Sequence, residues 1–135
     1  MQAATCNNVV FELSESVAEY AQREQIAAKV NSLIERGVRF AIDDFGAGRD
    51  SIERLYELGP TTAVKVDRVF LQTCARRADA ASTLQHFVQQ WRSAGIMSIA
   101  EGVETAALYE FARAVGCDFV QGWHVDAIVG QRQPA

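Results

Sequence analysis

Residues 35–44 read ERGVRFAIDD, and the order of residue types in them decides the fold. A helical segment stops at Gly37, a short apolar run follows, and two carboxylates stand at its far end. Glycine just past a helix supplies the left-handed cap that ends it, and a brief β-branched and aromatic run then reads as a strand. The same phrase returns as ELGPTTAVKVD (57–67), SAGIMSIAEG (93–102) and AVGCDFVQG (114–122). What repeats is the structural pattern, since the residues themselves differ. Strands alternating with helices imply right-handed crossovers and a parallel sheet, so the expected class is α/β.

Working outward, Val9–Leu13 reads as a first strand. A helix capped by Ser14 or Ser16 follows, with Ile26, Val30, Leu33 and Ile34 on one face. Val38–Ile42 is the next strand, and Ile52–Leu58 a short helix stopped by Gly59 and Pro60. Ala63–Val66 is a strand followed by a helical turn at Val69–Cys74. Leu84, Phe87, Val88 and Trp91 mark a helix ending at Gly95, and Ile96–Ala100 a fourth strand. Ala107, Leu108, Phe111, Ala112 and Val115 mark a helix ending at Gly116, and Phe119-Val120 opens a fifth strand.

The 135 residues, 49% apolar and 22% charged, suit one domain spanning 1–135, with 1–8 and 130–135 expected to fray. Thirteen Lys and Arg against seventeen Asp and Glu leave a net charge of −4, which speaks against a nucleic-acid polymer or a membrane surface as partner. Met1–Asn8 lacks the order of a signal peptide, and no window has the ~18 apolar residues of a membrane span. Cys6, Cys74 and Cys117 are odd in number and far apart, as reduced thiols of a cytoplasmic protein would be.

In parallel sheets, functional groups gather beyond the carboxyl ends of the strands. Glu12, Asp43, Asp44, Asp67, Glu101 and Gln121 all fall there, with Lys65 two residues before Asp67. Any one such acid is ordinarily a helix cap or a loop charge; a cluster of them at one edge is harder to dismiss. Two carboxylates ~4 Å apart repel by about 4 kcal/mol at an effective dielectric near 20. Glu12, Asp43 and Asp44 therefore need a cation, a proton or the Lys65 ammonium. Oxygen ligands without His or Cys neighbours suit Mg²⁺, Mn²⁺ or Ca²⁺, and such sites at the mouth of a β/α array are a usual setting for phosphoester hydrolysis.

Five segments, FELSE (11–15), AIDDFGAG (41–48), VKVDRVF (64–70), IAEGVET (99–105) and GCDFVQGW (116–123), together resemble the successive signatures of the EAL domain. That family comprises bacterial phosphodiesterases that open cyclic di-GMP. The resemblance implies a (β/α)₈ TIM-type barrel, here represented by about five β/α units, with Mg²⁺ or Mn²⁺ at the strand ends. It implies Glu12 and Asp43 as ligands of a first metal and Asp44 of a second. Lys65 matches the lysine that neutralises phosphate and holds water, Glu101 the general base, and Gln121 a site residue on the last strand. Asp67 falls beside these as site support, Glu15 and Glu104 match glutamates that hold catalytic loops, and Gly46 and Gly48 lie in the mobile loop after the paired aspartates.

The chain also departs from the family pattern. No Glu-Ala-Leu strand and no strand with the metal-binding Asn are found in it, and a whole barrel takes roughly 250 residues. Arg49-Asp50 stands where Tyr-Ser is expected, and HVDAIV (124–129) replaces an aromatic-then-proline ending. Two readings follow. In the first, the domain is inactive alone, binds metal weakly or not at all, and acts in cyclic-di-GMP binding or protein interaction. In the second, it is a metal-dependent phosphodiesterase completed by a homodimer or a partner protein. A receiver-like switch is disfavoured, since its lysine belongs on the last strand and Lys65 comes one strand after Asp44. Five strands cannot close a barrel, so inward side chains such as Phe40 or Ile42 and Ile99 are expected to face water in a monomer, inviting association.

Overall fold

The computed structural model describes residues 10–13, 23–48 and 61–130. The elements are β1 (Val10–Leu13), α1 (Arg23–Glu35), β2 (Arg39–Phe45), β3 (Ala63–Val66), α2 (Arg68–Arg76), α3 (Ala78–Ser93), β4 (Met97–Ala100), α4 (Ala106–Val115), β5 (Phe119–Val120) and α5 (Trp123–Gly130). The five strands form one sheet in sequence order, every neighbouring pair parallel. The alternation of strands and helices predicts this parallel sheet, and its sequence order suits the partial TIM-type barrel that the resemblance implies.

Because paired residues share a face and side chains alternate along a strand, the registers sort the sheet into two surfaces. Ile42, Val64, Val66, Ser98 and Ala100 point to the helical layer. There Val64, Val66 and Ala100 join Leu71 and Cys74 of α2, Leu84, Val88 and Trp91 of α3, and Ala112 and Val115 of α4 in one core. Phe45 sits at its centre, edge-on to Trp91 at 4.8 Å and to Phe87 at 5.3 Å. Ala41, Ala63, Lys65, Ile99 and Phe119 occupy the opposite, concave surface.

That division corrects one expectation. Phe40 and Ile42 do not face water; both are buried, being on the helical side of β2. Among the described residues, the exposed apolar groups of the concave surface are instead Val10, Met97 and Phe119, the last 55% accessible, with Ile99 half-buried between Met97 and Phe119.

Several elements run longer than expected. Val69–Cys74 belongs to a complete nine-residue helix, because the Asp67 carboxylate accepts from Val69 N at 2.8 Å and Phe70 N at 3.0 Å and so caps it. The segment 123–130, expected as no element and to fray from 130, is helical through Gly130; Val125 N and Asp126 N both donate to Gly122 O. The expected helix at 52–58, the Ser14 and Ser16 caps and Glu15 lie outside the described residues. Among the described cysteines, Cys74 and Cys117 are free, and burial pushes the Cys117 thiol up to about 11.

The last strand is locked to the sheet by one carboxylate. Asp118 Oδ2 accepts from Ser98 N at 2.9 Å and Ser98 Oγ at 3.0 Å, and Oδ1 accepts from Arg92 Nη2 at 2.9 Å. Partial burial opposes the charge, but these donors win and hold the carboxyl below the ordinary aspartate range. A folded-state pKa below the unfolded one adds stability above the unfolded value and loses it as pH falls through the folded one. D118N is therefore expected to cost about 1–2 kcal/mol at pH 7. The gap between variant and wild type, read from urea melts, should narrow below about pH 4. A gap unchanged from pH 7 to pH 3 would refute this role for the charge.

Candidate metal and phosphoester site

The site begins with an irregularity in β2. Strand alternation would send Asp43 and Asp44 to opposite faces of the sheet. The β2–β3 register prevents that: Ile42 pairs with Val64 and Phe45 with Val66, three steps on one strand against two on the other. One extra residue is thus bulged out of the ladder. Asp44 takes the strain, with φ +56°, a conformation that Asp tolerates better than most residues, and its N donates to Asp43 Oδ1 at 3.0 Å. The bulge does two things at once. It returns Phe45 to the helical core, and it leaves both carboxylates at the mouth of the arc.

Plain alternation brings the rest. Lys65 lies two residues beyond Ala63, and Glu101 two beyond Ile99, on the concave face of adjacent strands. Carboxylate oxygens of Asp43, Asp44 and Glu101 come within 4.8 Å of one another. Lys65, almost fully buried, places Nζ 2.7 Å from Glu101, 2.8 Å from Glu12 and 3.7 Å from Asp43. Burial works against that ammonium, but the hydrogen bonds to Glu101 and Glu12 and the charges of Glu101 and Asp43 outweigh it, holding Lys65 above the ordinary lysine range. Burial likewise pushes the Glu101 carboxyl up; Lys65 draws it partly back, and Asp43 and Asp44 add to the rise.

The structure therefore groups the expected residues somewhat differently from their order in the chain. Asp43, Asp44 and Glu101 form the close triplet, while Glu12, its side chain half exposed, meets the cluster through Lys65. Asp67 spends its carboxylate on capping α2. Gln121 is exposed and is held by its backbone, N to Ala100 O at 2.9 Å and O from Val103 N at 3.0 Å. Gly46 lies in the turn after β2 at φ +97° with Gly48 two residues on. Glu104 pairs with Arg68 at 2.9 Å. Arg68 is absent from the residues the sequence singled out, although a cation just after a helix-capping Asp, facing the positive end of the helix dipole, was a signal that it contacts something else.

The donor set fits a hard divalent cation. An ion bound at about 2.0–2.6 Å can bridge oxygens up to about 5 Å apart, and the three carboxylates satisfy that limit with no soft ligand among them.

Comparison with known proteins matches the EAL domain over residues 1–127. The chain belongs to the EAL domain family. It is 34% identical over 131 residues to the bifunctional diguanylate cyclase/cyclic di-GMP phosphodiesterase MucR of Pseudomonas aeruginosa, covering 96% of this chain and 18% of that protein. With the cyclic di-GMP phosphodiesterase RocR of the same organism it shares 31% over 117 residues, 87% of this chain and 29% of the relative. Among solved structures, the MucR phosphodiesterase in complex with c-di-GMP superposes with a TM-score of 0.70 at 32% identity, over 96% of this chain and 50% of that one. The Klebsiella pneumoniae BlrP1 manganese/cyclic di-GMP complex gives 0.77 at 26% identity, over 87% of this chain and 29% of that one. The EAL chain thus spans less than a third of these curated relatives' length. No helix among its described residues is long and apolar enough to cross a membrane.

Proposed function

We propose that this EAL domain is a cyclic-di-GMP signalling domain that is catalytically inactive as an isolated chain and acts through nucleotide binding or protein interaction. The observation that carries this reading is the Asp43–Asp44–Glu101 triplet beside a buried lysine at the strand ends. Asp43, Asp44 and Glu101 would hold Mg²⁺ or Mn²⁺, which when bound supplies neutralisation of a phosphodiester and a more acidic water. Lys65, cationic at any physiological pH, would donate to a phosphate oxygen. Glu101 keeps Oε1 on Lys65 at 2.7 Å, so its other oxygen, where it does not ligate the ion, is the one suited to take a proton from an attacking water. Three clustered carboxylates are enough to hold one ion loosely; a two-ion clamp needs further oxygens. Without firm positioning of water and phosphate, the barrier stays high.

The second reading is completion by another chain, in a homodimer or with a partner protein. It is favoured by the exposed Met97 and Phe119 on the concave face and by Val10 and Phe11 on the outermost strand β1. Cytoplasmic placement accords with both readings.

Titration of the chain with Mn²⁺ and Mg²⁺, followed by cyclic di-GMP, tests the proposal. Millimolar ion is expected to raise Tm only slightly, cyclic di-GMP to bind, and hydrolysis to stay at trace levels. A submicromolar ion affinity would mean that the cage is complete within this chain. Robust turnover that is lost in E101A would overturn inactivity, and light scattering would then show whether the active species is a dimer.

A further inference from the structure

We propose that Arg68 is a positioning residue for the carboxylate site: it clamps the Glu101–Glu104 loop onto the first turn of α2 and so sets the spacing between Glu101 and the Asp43–Asp44 pair. The inference rests on reading those carboxylates as a divalent-cation site.

Arg68 is the first residue of α2, directly after the Asp67 cap. A cation there faces the positive end of the helix dipole, so the position itself does not favour it. Its contacts do. Nη1 donates to Glu104 Oε1 at 2.9 Å, and its aliphatic stem lies against Gly102 so closely that a Cβ on that glycine would fall 2.3 Å from Arg68 Cγ and 2.4 Å from Cδ. Gly102 also has φ +64°, which suits glycine. The residue next to Glu101 thus rests on the Arg68 stem, and the guanidinium grips the loop two residues further on. Backbone bonds hold the remaining positions, Glu101 N to Val66 O at 3.1 Å and Val103 N to Gln121 O at 3.0 Å.

The loop after β2 is seated on the same helical turn. A Cβ on Gly46 would fall 2.3 Å from Cγ of Phe70, whose ring packs edge-on to Phe45. One turn of α2 therefore carries both loops that flank the clustered carboxylates, one on Phe70 and the other on Arg68. The ion pair is half exposed and individually weak. The stem against Gly102 is what fixes distance, and the ion pair fixes direction.

The test uses the 135-residue chain with Mn²⁺ as probe, its affinity read by electron paramagnetic resonance and Tm recorded in parallel. R68A is expected to weaken Mn²⁺ binding about tenfold, as loss of a group supporting a ligand typically does. R68M, which keeps the stem, should lose less, and R68K should recover most of the affinity. If R68A does not fold, R68M and R68K decide by the same order. A variant series that lowers Tm while leaving Mn²⁺ affinity at the wild-type value would make Arg68 merely structural and overturn the proposal. A metal-free arm separates this from the site reading itself. In amide NMR spectra, R68A should shift Asp43, Asp44 and Glu101–Glu104 while leaving Val10–Leu13 unchanged. Wild-type chain that takes no Mn²⁺ would sink the cation reading, and the amide shifts would still decide on Arg68, their absence overturning it.

Discussion

Replacing Lys65 with methionine is expected to destabilise the fold by about 2–4 kcal/mol at neutral pH, the upper range for a buried pair stripped of one partner being about 3–5. The reduction reflects exposure: the Glu12 side chain is 53% accessible and water screens its share, whereas Glu101 and Asp43 are only about a fifth exposed. For a domain of this size that corresponds to a Tm loss of roughly 3–4 °C per kcal/mol. Its pH dependence has a definite sign. The folded Lys65 pKa lies above the unfolded value, so its contribution is complete below the unfolded lysine pKa and is lost only as pH rises through the folded one, in strong alkali. In K65M, Glu101 loses the group that draws its pKa down and keeps Asp43 and Asp44, which raise it. Protonating Glu101 relieves the repulsion. The deficit of the variant should therefore grow between about pH 4 and pH 7, and millimolar Mn²⁺ should restore more Tm to K65M than it adds to wild type. Denaturant melts across that range check this; a deficit that is flat with pH would mean that Lys65 stabilises by packing its stem alone.

The arc of parallel strands was legible because its cues are local. Gly37, Gly95 and Gly116 end helices, each at positive φ, and the apolar runs after them are β-strands. The carboxylate edge was legible for the same reason, since period-two alternation counted from Ala63 and Ile99 delivers Lys65 and Glu101 to one face. What alternation cannot deliver is Asp44. Its place beside Asp43 depends on a bulge, set by how Phe45 fits between Trp91 and Phe87, and that packing is non-local. The burial of Phe40 and Ile42 was missed because an apolar run such as VRFAI reads alike from either side until the register is known. Helix α5 was missed because WHVDAIVG shows no apolar stripe with a polar opposite face; it starts instead on the Gly122 carbonyl.

That same Gly122 is where the largest single-residue loss of stability is expected. Its Cα approaches the backbone of Val103 so closely that a Cβ would fall 2.5 Å from Val103 N, 2.6 Å from O and 2.8 Å from C. None of these atoms can step aside cheaply. Val103 N donates to Gln121 O at 3.0 Å, Val103 O accepts from His124 N at 3.1 Å, and the Val103 side chain is fully buried. Its φ of +152° also disfavours any side chain. G122A must therefore break the contact between the Glu101–Glu104 loop and the end of β5, at a cost of about 3 kcal/mol or more from overpacking and backbone strain together. Gly95 is the internal control: it too has positive φ, but nothing lies within 4 Å of its would-be Cβ, so G95A should cost only about 1 kcal/mol. Val103 is two residues from Glu101, so the damage also reaches the carboxylates, and G122A should bind Mn²⁺ more weakly than G95A under conditions where both remain folded. Thermal and urea melts of the two variants decide the matter. A G122A protein that melts within a few degrees of G95A would show that the loop can move away from β5 without loss, and that Glu101 is held by Val66 and Lys65 alone.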